Sequence, residues 1–268
     1  MQLSELIKLG VDTLKEKNIK THQIDSEIIL ANLFDESREK LLISEDKVVS
    51  KDKIKYFKEM LQRRARKSEP IAYILNKKEF WNSKLFVNSD VLIPRPETEL
   101  LIDKLVSLYK NKNPYILDIG TGSGCIIISL LEELKESKGT AIDISIKALE
   151  IAKKNSKKNN TFRRIKFEKK SVESYFNKKF DVIVSNPPYI PSYYLKNLMD
   201  DVKLFEPKIA LDGGNDGLDV IRKVIYKSRK ILKINGMLAL EIGNGQYKKV
   251  SQILKLNKFR EKFLINDY

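Results

Sequence analysis

Asn186-Pro187-Pro188-Tyr189 directly follows the apolar run Asp181-Val182-Ile183-Val184. Two prolines at that point can simply stop a strand. An asparagine before a proline also carries chemistry, because proline restricts the preceding residue to extended conformations. An amide or exocyclic amino nitrogen is a poor nucleophile while its lone pair is delocalised. It attacks a methyl group only when it is oriented and that lone pair is freed. The Asn186 side-chain oxygen and the Pro187 backbone carbonyl are two acceptors that can hold its two N–H groups, and Tyr189 offers a flat face for stacking. Most of the acceleration would come from in-line positioning. No strong general base is required, since the departing proton becomes acidic once the nitrogen is methylated. Asn186, Pro187 and Tyr189 are therefore the expected catalytic residues, with Pro188 completing the acceptor site.

Leu117-Asp118-Ile119-Gly120-Thr121-Gly122-Ser123-Gly124 places a glycine-rich turn after a short apolar run and before a helical pattern. Without Cβ atoms, such a turn lets a ligand approach the backbone closely. Dinucleotide folds need G-x-G-x-x-G with a pyrophosphate on the helix N-terminus. The spacing here is G-x-G-x-G with an acid before it, which suits S-adenosyl-L-methionine (SAM), a ligand with an ammonium and a sulfonium but no phosphate. Gly120, Thr121, Gly122, Ser123 and Gly124 are the expected cofactor loop. Asp143 ends the next apolar run, where a carboxylate can hold both ribose hydroxyls; it could equally cap the helix that follows. The stretch Pro94-Arg95-Pro96-Glu97-Thr98-Glu99 is a stiff lead into a helix, with acids suited to the helix dipole. Arg95 and Glu97 could also line the mouth of the site.

Composition narrows the alternatives. The 268 residues contain one histidine, His22, distant in sequence from every motif, and one cysteine, Cys125. Ser-His-Asp and Cys-His mechanisms lack their histidine. Zinc sites built on Cys and His lack ligands, so no metal is expected. An intrachain disulfide is impossible and a reducing compartment is expected. The first residues carry acids among their apolar positions, unlike a signal peptide, and no apolar run reaches membrane-span length. A cytoplasmic protein with no membrane contact is the reading. The net charge of +15 raises the prior for an acidic partner. The densest basic stretch, residues 153–170, reads equally as a solvated surface.

The elements that must position these residues follow from periodicity. Leu3, Leu6, Ile7, Val11 and Leu14, then Ile24, Ile28 and Ala31, then Ile54, Phe57 and Leu61 recur at helical steps. Thr21 and Ser50 are expected N-caps, and Pro70 is expected to close the last helix. Residues 71–95 read as strand, turn, strand, with Asn76 able to take a left-handed turn position. From there strands at 115–119, 139–144, 165–167, 180–185 and 237–242 alternate with helices at 99–108, 125–134, 146–155 and 218–232. Such alternation predicts an α/β fold with a mostly parallel, Rossmann-like sheet covered on both faces. The expected domains are a helical one at 1–75, a β-hairpin linker at 76–95 and a SAM-binding catalytic one at 96–268.

Taken together, these motifs resemble the bacterial peptide chain release factor glutamine methyltransferases, the HemK/PrmC family. The likeness covers nearly the whole chain. It includes Arg63-Arg64, Glu69-Pro70-Ile71-Ala72-Tyr73-Ile74, Glu79-Phe80-Trp81, the Pro94-to-Glu99 stretch, the glycine loop and Asn186 to Tyr189. It extends to Glu206-Pro207, Leu211-Asp212-Gly213-Gly214 and Asp216-Gly217-Leu218. The asparagine-proline-proline element alone is shared with methyltransferases acting on amino groups of DNA and RNA bases; the other elements are more specific.

The resemblance implies a class I SAM-dependent fold with a seven-stranded type of sheet. It implies SAM as donor, S-adenosyl-L-homocysteine as product, and the glutamine of the Gly-Gly-Gln motif of release factors as acceptor, a role in translation termination. It implies cofactor contacts at residues 120–124, Asp143 and Asn186, with Ser171 or Val172 near the adenine, and a helical domain that recognises the release factor. A monomer without specific nucleic-acid binding is expected. Two departures stand out. Asn76 replaces a usual glycine, and the family usually runs through one more strand after residues 262–266, so the last strand is expected to be missing and a sheet edge exposed. Cys125 stands where a small residue is common and is expected to be buried. The alternative reading is methylation of an exocyclic amino group of DNA or RNA. That would require base flipping in a duplex and a recognition domain. A non-enzymatic SAM-binding protein and a nicotinamide dehydrogenase are the remaining alternatives.

Overall fold

Leucine and isoleucine at three- and four-residue steps place one apolar stripe on each of the first helices, and burying those stripes against one another makes a small bundle. The computed structural model describes residues 1–43, 46–175 and 179–266. Two units are distinguished: residues 1–76 with 199–205, and the remainder. The first contains α1 (Leu3–Lys15), α2 (His22–Phe34), α3 (Arg38–Ile43), α4 (Lys51–Lys67), the single turn α5 (Ile71–Ile74) and, from the later segment, Asp200–Phe205. Leu3, Leu6, Leu14, Ile29, Leu30, Phe57 and Leu61 form its core.

Its polar centre is Arg64, which donates to Asp25 at 2.7 Å and to the carbonyls of Ser68 and Glu69 at 3.3 Å each. The guanidinium thus ties α2 to α4 and satisfies carbonyls just past the end of α4. The neighbouring Arg63 pairs with Glu69, its Nε at 2.8 Å. The arginine pair and Glu69 noted in the sequence are accordingly parts of one junction.

Local expectations are corrected at two places. Thr21 stands at the N-cap of α2, but its hydroxyl donates to the Asp25 carboxylate at 2.8 Å instead of accepting from the helix. Ser50 does cap α4. The residues after Pro70 form not a strand but a helical turn, in which Tyr73 and Ile74 N–H both donate to the Pro70 carbonyl. Proline with its fixed φ starts this turn. Asn76 follows in the left-handed region, φ +50°.

The second unit opens with a hairpin, β1 (Lys78–Phe80) and β2 (Ser83–Leu85), turning at Trp81, φ +51°. It continues through α6 (Thr98–Tyr109), β3 (Tyr115–Ile119), α7 (Cys125–Glu133), β4 (Lys138–Asp143), α8 (Ile146–Lys158), β5 (Ile165–Lys169) and β6 (Phe180–Ser185). After the short helix already placed in the first unit, here α9, come α10 (Asp219–Ile231), β7 (Leu232–Leu240) and α11 (Tyr247–Leu256). The sheet order is β5-β4-β3-β6-β7 and every pair is parallel.

Alternation along the strands sets the two faces. Ile116, Ala141 and Val184 pack with Ile102 and Leu105 of α6, Ile127 and Leu130 of α7, and Phe80 and Leu85 of the hairpin. Leu117, Ile142 and Ile183 pack with Val224 and Ile231 of α10. The seven-stranded type of sheet is present as five strands among the described residues. β7 begins five residues earlier than periodicity predicts and ends before Glu241, and residues 262–266 lie outside any strand.

Three ties fix the hairpin and the loops behind the sheet. The Trp81 backbone N–H donates to Glu99 and its indole N–H to Glu133, each at 2.8 Å. Arg164 donates to the carbonyls of Leu131, Leu134 and Ser137 and so closes the end of α7. Asn155, fully buried on α8, accepts from Phe86 N–H at 2.7 Å and donates to the Phe86 and Ser123 carbonyls at 2.9 Å. Replacing Asn155 with alanine would leave three backbone groups unpaired, one buried and two part-buried, a cost of roughly 2–4 kcal/mol. Urea unfolding of Asn155→Ala should show that loss; a change below about 0.5 kcal/mol would contradict this account of the tie.

Candidate active site

A parallel sheet sends every loop that follows a strand out of the same edge, and ligands bind there where the strand order reverses. That reversal lies between β3 and β6, and the residues singled out by their chemistry cluster at these strand ends. The loop after β3 is pinned to β4, since Gly120 and Thr121 N–H both donate to the Ile142 carbonyl at 2.9 and 3.0 Å. Gly120 and Gly122 take φ of +71° and +53°. A Cβ at Gly120 would meet nothing within 4 Å, and one at Gly122 only the Gly120 carbonyl at 4.0 Å. The inner surface of this loop is open space, a cradle a ligand can fill.

The side chains of the loop turn inward. The Thr121 hydroxyl donates to Asp118 at 2.7 Å. Ser123 is buried, with its hydroxyl unpartnered and its carbonyl taken by Asn155. Of the expected cofactor loop, the glycines and the backbone therefore face the open space, whereas the Thr121 and Ser123 side chains do not. Cys125 opens α7 half-buried, its thiol pushed up to about 12 by burial first and by the Asp118 charge second.

Asp143 ends β4 and accepts from Gly122 N–H at 3.0 Å and Ser145 N–H at 2.9 Å, one on each oxygen. The helix that follows is capped instead by Ser145, whose hydroxyl accepts from Ala148 N–H. Two backbone donors thus hold the Asp143 carboxylate in place, joined by the Ile144 N–H beside it. Burial raises its pKa, opposed by these donors. Lys170 N–H donates to the Asp143 carbonyl at 3.0 Å, which sets Ser171 and the buried Val172 beside it after β5.

On the other side of the reversal, the Ser185 hydroxyl donates to the Ile119 carbonyl at 2.7 Å and joins the end of β6 to that of β3. Asn186 follows, and its Nδ2 donates to the Thr98 hydroxyl at 3.2 Å. Thr98, 1% exposed, donates in turn to Glu241 at 2.5 Å. The Tyr189 hydroxyl faces the other Glu241 oxygen at 3.5 Å. Burial raises the Glu241 pKa. Tyr189 is pushed up to about 12, by burial first and the Glu241 charge second.

Behind the motif, Gly213 N–H donates to the Ile190 carbonyl and Ile190 N–H to that of Leu211. A Cβ at Gly213 would lie 2.8 Å from the Tyr189 Cα, so only glycine lets these backbones touch. Gln246 donates to the Tyr189 carbonyl at 2.9 Å. The glycine-rich stretch at 211–218 is therefore a buttress for Asn186 to Tyr189.

Arg95 is held by an ion pair with the buried Glu206 at 2.6 Å, and Glu206 also accepts from Ile93 N–H. Glu97 is exposed at the N-cap of α6 without capping it. Its charge nevertheless reaches Glu241 and Tyr189, and the Arg95 charge reaches Tyr189. Both therefore stand near the motif, Arg95 with its cation already paired.

Sequence reasoning missed Glu241 and Gln246, and gave Thr98 and Glu206 no role. A usable signal existed for Glu241: an acid at the end of an apolar strand, the same mark that singled out Asp143. Thr98 and Gln246 carried none, because their partners are remote in sequence.

Asp118 supplies a test of the site's electrostatics. It is fully buried and its Oδ1 has no hydrogen-bond partner. Burial, opposed by the Thr121 hydroxyl, raises its pKa from 3.8 to about 7. Between those values the folded protein keeps a proton that the unfolded chain releases, so this group's contribution to stability falls as pH rises from 4 to 7. Asp118→Asn removes that dependence. Relative to the parent it should gain on the order of 2–4 kcal/mol more at pH 8 than at pH 4. Urea unfolding at the two pH values reads the difference, and an equal effect at both would contradict the buried-charge assignment.

Residues 5–75 match the PrmC N-terminal domain and residues 96–198 the methyltransferase small domain. The chain is 36% identical to the release factor glutamine methyltransferase of Clostridium acetobutylicum over 97% of its own length and 92% of that protein. It is also 36% identical to that of Fusobacterium nucleatum over 98% and 75%. Among solved structures, the hMettl16 catalytic domain in complex with the MAT2A 3'UTR hairpin 6 aligns with a TM-score of 0.53 at 17% identity, over 77% of this chain and 73% of that one. That likeness speaks to fold alone. With these relatives covering nearly all of it, the chain belongs to the release factor glutamine methyltransferase family.

Proposed function

We propose that this enzyme transfers the methyl group of SAM to the side-chain amide nitrogen of the glutamine in the Gly-Gly-Gln motif of peptide chain release factors. The observation that carries the reading is the orientation of Asn186. Its nitrogen is engaged by Thr98, so its oxygen is left to accept. That oxygen and the Pro187 carbonyl of the same loop would supply two acceptors for the two N–H groups of a primary amide. Tyr189, buttressed from behind, supplies a flat wall for that amide.

The residues present fit SAM. The open cradle at Gly120 and Gly122 would take its amino-acid portion, and the fully buried Asp118 carboxyl, near the end of the strand that enters this loop, would favour a cation there. The Asp143 carboxylate would take the ribose hydroxyls, with Ser171 and Val172 beside it and Asn186 bordering both ligands. When bound, SAM supplies an electrophilic methyl group on a sulfonium. The protein's own work is orientation: Asn186 and Pro187 hold the glutamine nitrogen in line and keep its lone pair out of conjugation. The proton is lost after methylation, when it is acidic, so no base of high pKa is needed.

The reading carries release factors as protein partners, a cytoplasmic location and a monomer without specific nucleic-acid contact. No described helix is long and apolar enough to cross a membrane. The helical unit would serve release-factor recognition, and Arg95 and Glu97 the rim of the acceptor site.

The test offers methyl-labelled SAM with a release factor and with the same factor lacking the motif glutamine. Label is expected only in the first, and Asn186→Ala should lower kcat/KM about 100-fold. Label in both factors, or in DNA or RNA instead, would overturn the reading and favour a base methyltransferase.

A further inference from the structure

A side-chain amide is nearly symmetric in shape, so only its hydrogen-bond partners decide which end faces a ligand. At Asn186 that decision is made two residues away from the substrate. The Thr98 hydroxyl has one proton and can either donate to Asn186 or accept from it. Glu241, an acceptor only while ionised, takes the proton at 2.5 Å. Thr98 must then accept, and Asn186 must present Nδ2 to it at 3.2 Å; the same amide also lies within hydrogen-bond reach of the Glu241 carboxylate itself, which can only accept from its nitrogen. Glu241 is itself fixed, its backbone N–H on the Ser185 carbonyl at 3.1 Å and its second carboxylate oxygen facing the Tyr189 hydroxyl at 3.5 Å. One half-buried carboxylate thus bears on both functional side chains of the motif, although it lies 55 residues beyond Asn186 in the chain.

We propose that Glu241, acting both directly and through the Thr98 hydroxyl, is the positioning residue that locks the Asn186 amide with its oxygen toward the acceptor, and so makes the site select an N–H donor. The inference rests on the glutamine-methylation reading above. Without the lock, Asn186 can turn its nitrogen outward, where it meets the substrate N–H donor with a donor of its own. Neither Glu241 nor Thr98 touches the acceptor; each acts through Asn186.

The experiment measures steady-state methylation of a release factor by the full-length enzyme, with SAM affinity by calorimetry and melting temperature as folding controls. Thr98→Val keeps the branched shape and removes the hydroxyl; kcat should fall about 10- to 100-fold with SAM affinity within about twofold. Thr98→Ser restores the hydroxyl and should recover most of the loss. The double variant Thr98→Val with Asn186→Ala should be no slower than Asn186→Ala alone, because both act through one group. Glu241→Gln, which can donate where glutamate cannot, should lose about tenfold and serves if Thr98→Val does not fold. Full kcat in Thr98→Val and Glu241→Gln, alongside a disabled Asn186→Ala, would overturn the positioning role and leave the function standing. Multiplying losses in the double variant would also overturn it. Parent enzyme that fails to label the glutamine would remove both readings together.

Discussion

All five strands of the sheet run in one direction, and the rest of the molecule depends on that constraint. Parallel strands bring every strand-to-helix loop to one edge. The glycine loop, Asp143, Ser171, Asn186 and Glu241 come from five separate strand ends, and only this topology makes them neighbours. The reversal between β3 and β6 divides the edge into an open glycine cradle and the asparagine-proline-proline-tyrosine loop. The Ser185 hydroxyl on the Ile119 carbonyl ties the two halves at that point. Methyl transfer needs a donor and an acceptor held at a fixed separation, and a rigid sheet edge supplies it more surely than a mobile loop.

Three acids lie at that edge, and burial raises the pKa of each: Asp118, Asp143 and Glu241. Their environments differ in a way that sorts their roles. Asp143 and Glu241 are matched by donors on both oxygens, so each acts as a fixed acceptor that orients something else. Asp118 keeps one oxygen unpaired. Its carboxyl therefore holds its proton to about pH 7 in the folded protein, and a nearby cationic ligand would favour the ionised form. On the proposed function, Asp118 would favour a cation on the donor side, and Asn186 with Pro187 an N–H donor on the acceptor side.

Periodicity and glycine spacing made much of this legible. The strands from Tyr115 and Phe180 appear in the sequence as short apolar runs with clear ends, and Gly120, Gly122 and Asn186 are marked by local pattern. What stayed hidden depends on contacts remote in sequence. Thr98 and Glu241 are 143 residues apart, and Asn155 serves Phe86 from 69 away, so no window of sequence contains either pair. The turn after Pro70 was illegible for a different reason. Ile71, Ala72, Tyr73 and Ile74 have strand-like composition, while the proline before them starts a helical turn. The family resemblance supplied Glu206-Pro207 and the 211–218 stretch as motifs. Their work, holding Arg95 and buttressing Tyr189, became visible only in three dimensions.

The central claim is that Asn186 Oδ1 and the Pro187 carbonyl together receive the two N–H groups of a glutamine amide. A crystal structure of the protein with S-adenosyl-L-homocysteine and a Gly-Gly-Gln peptide tests it most directly. The account predicts the glutamine side-chain nitrogen within hydrogen-bond reach of both acceptors, with the Asn186 nitrogen still on Thr98. A glutamine bound with its carbonyl oxygen toward Asn186, or bound away from Pro187, would contradict it.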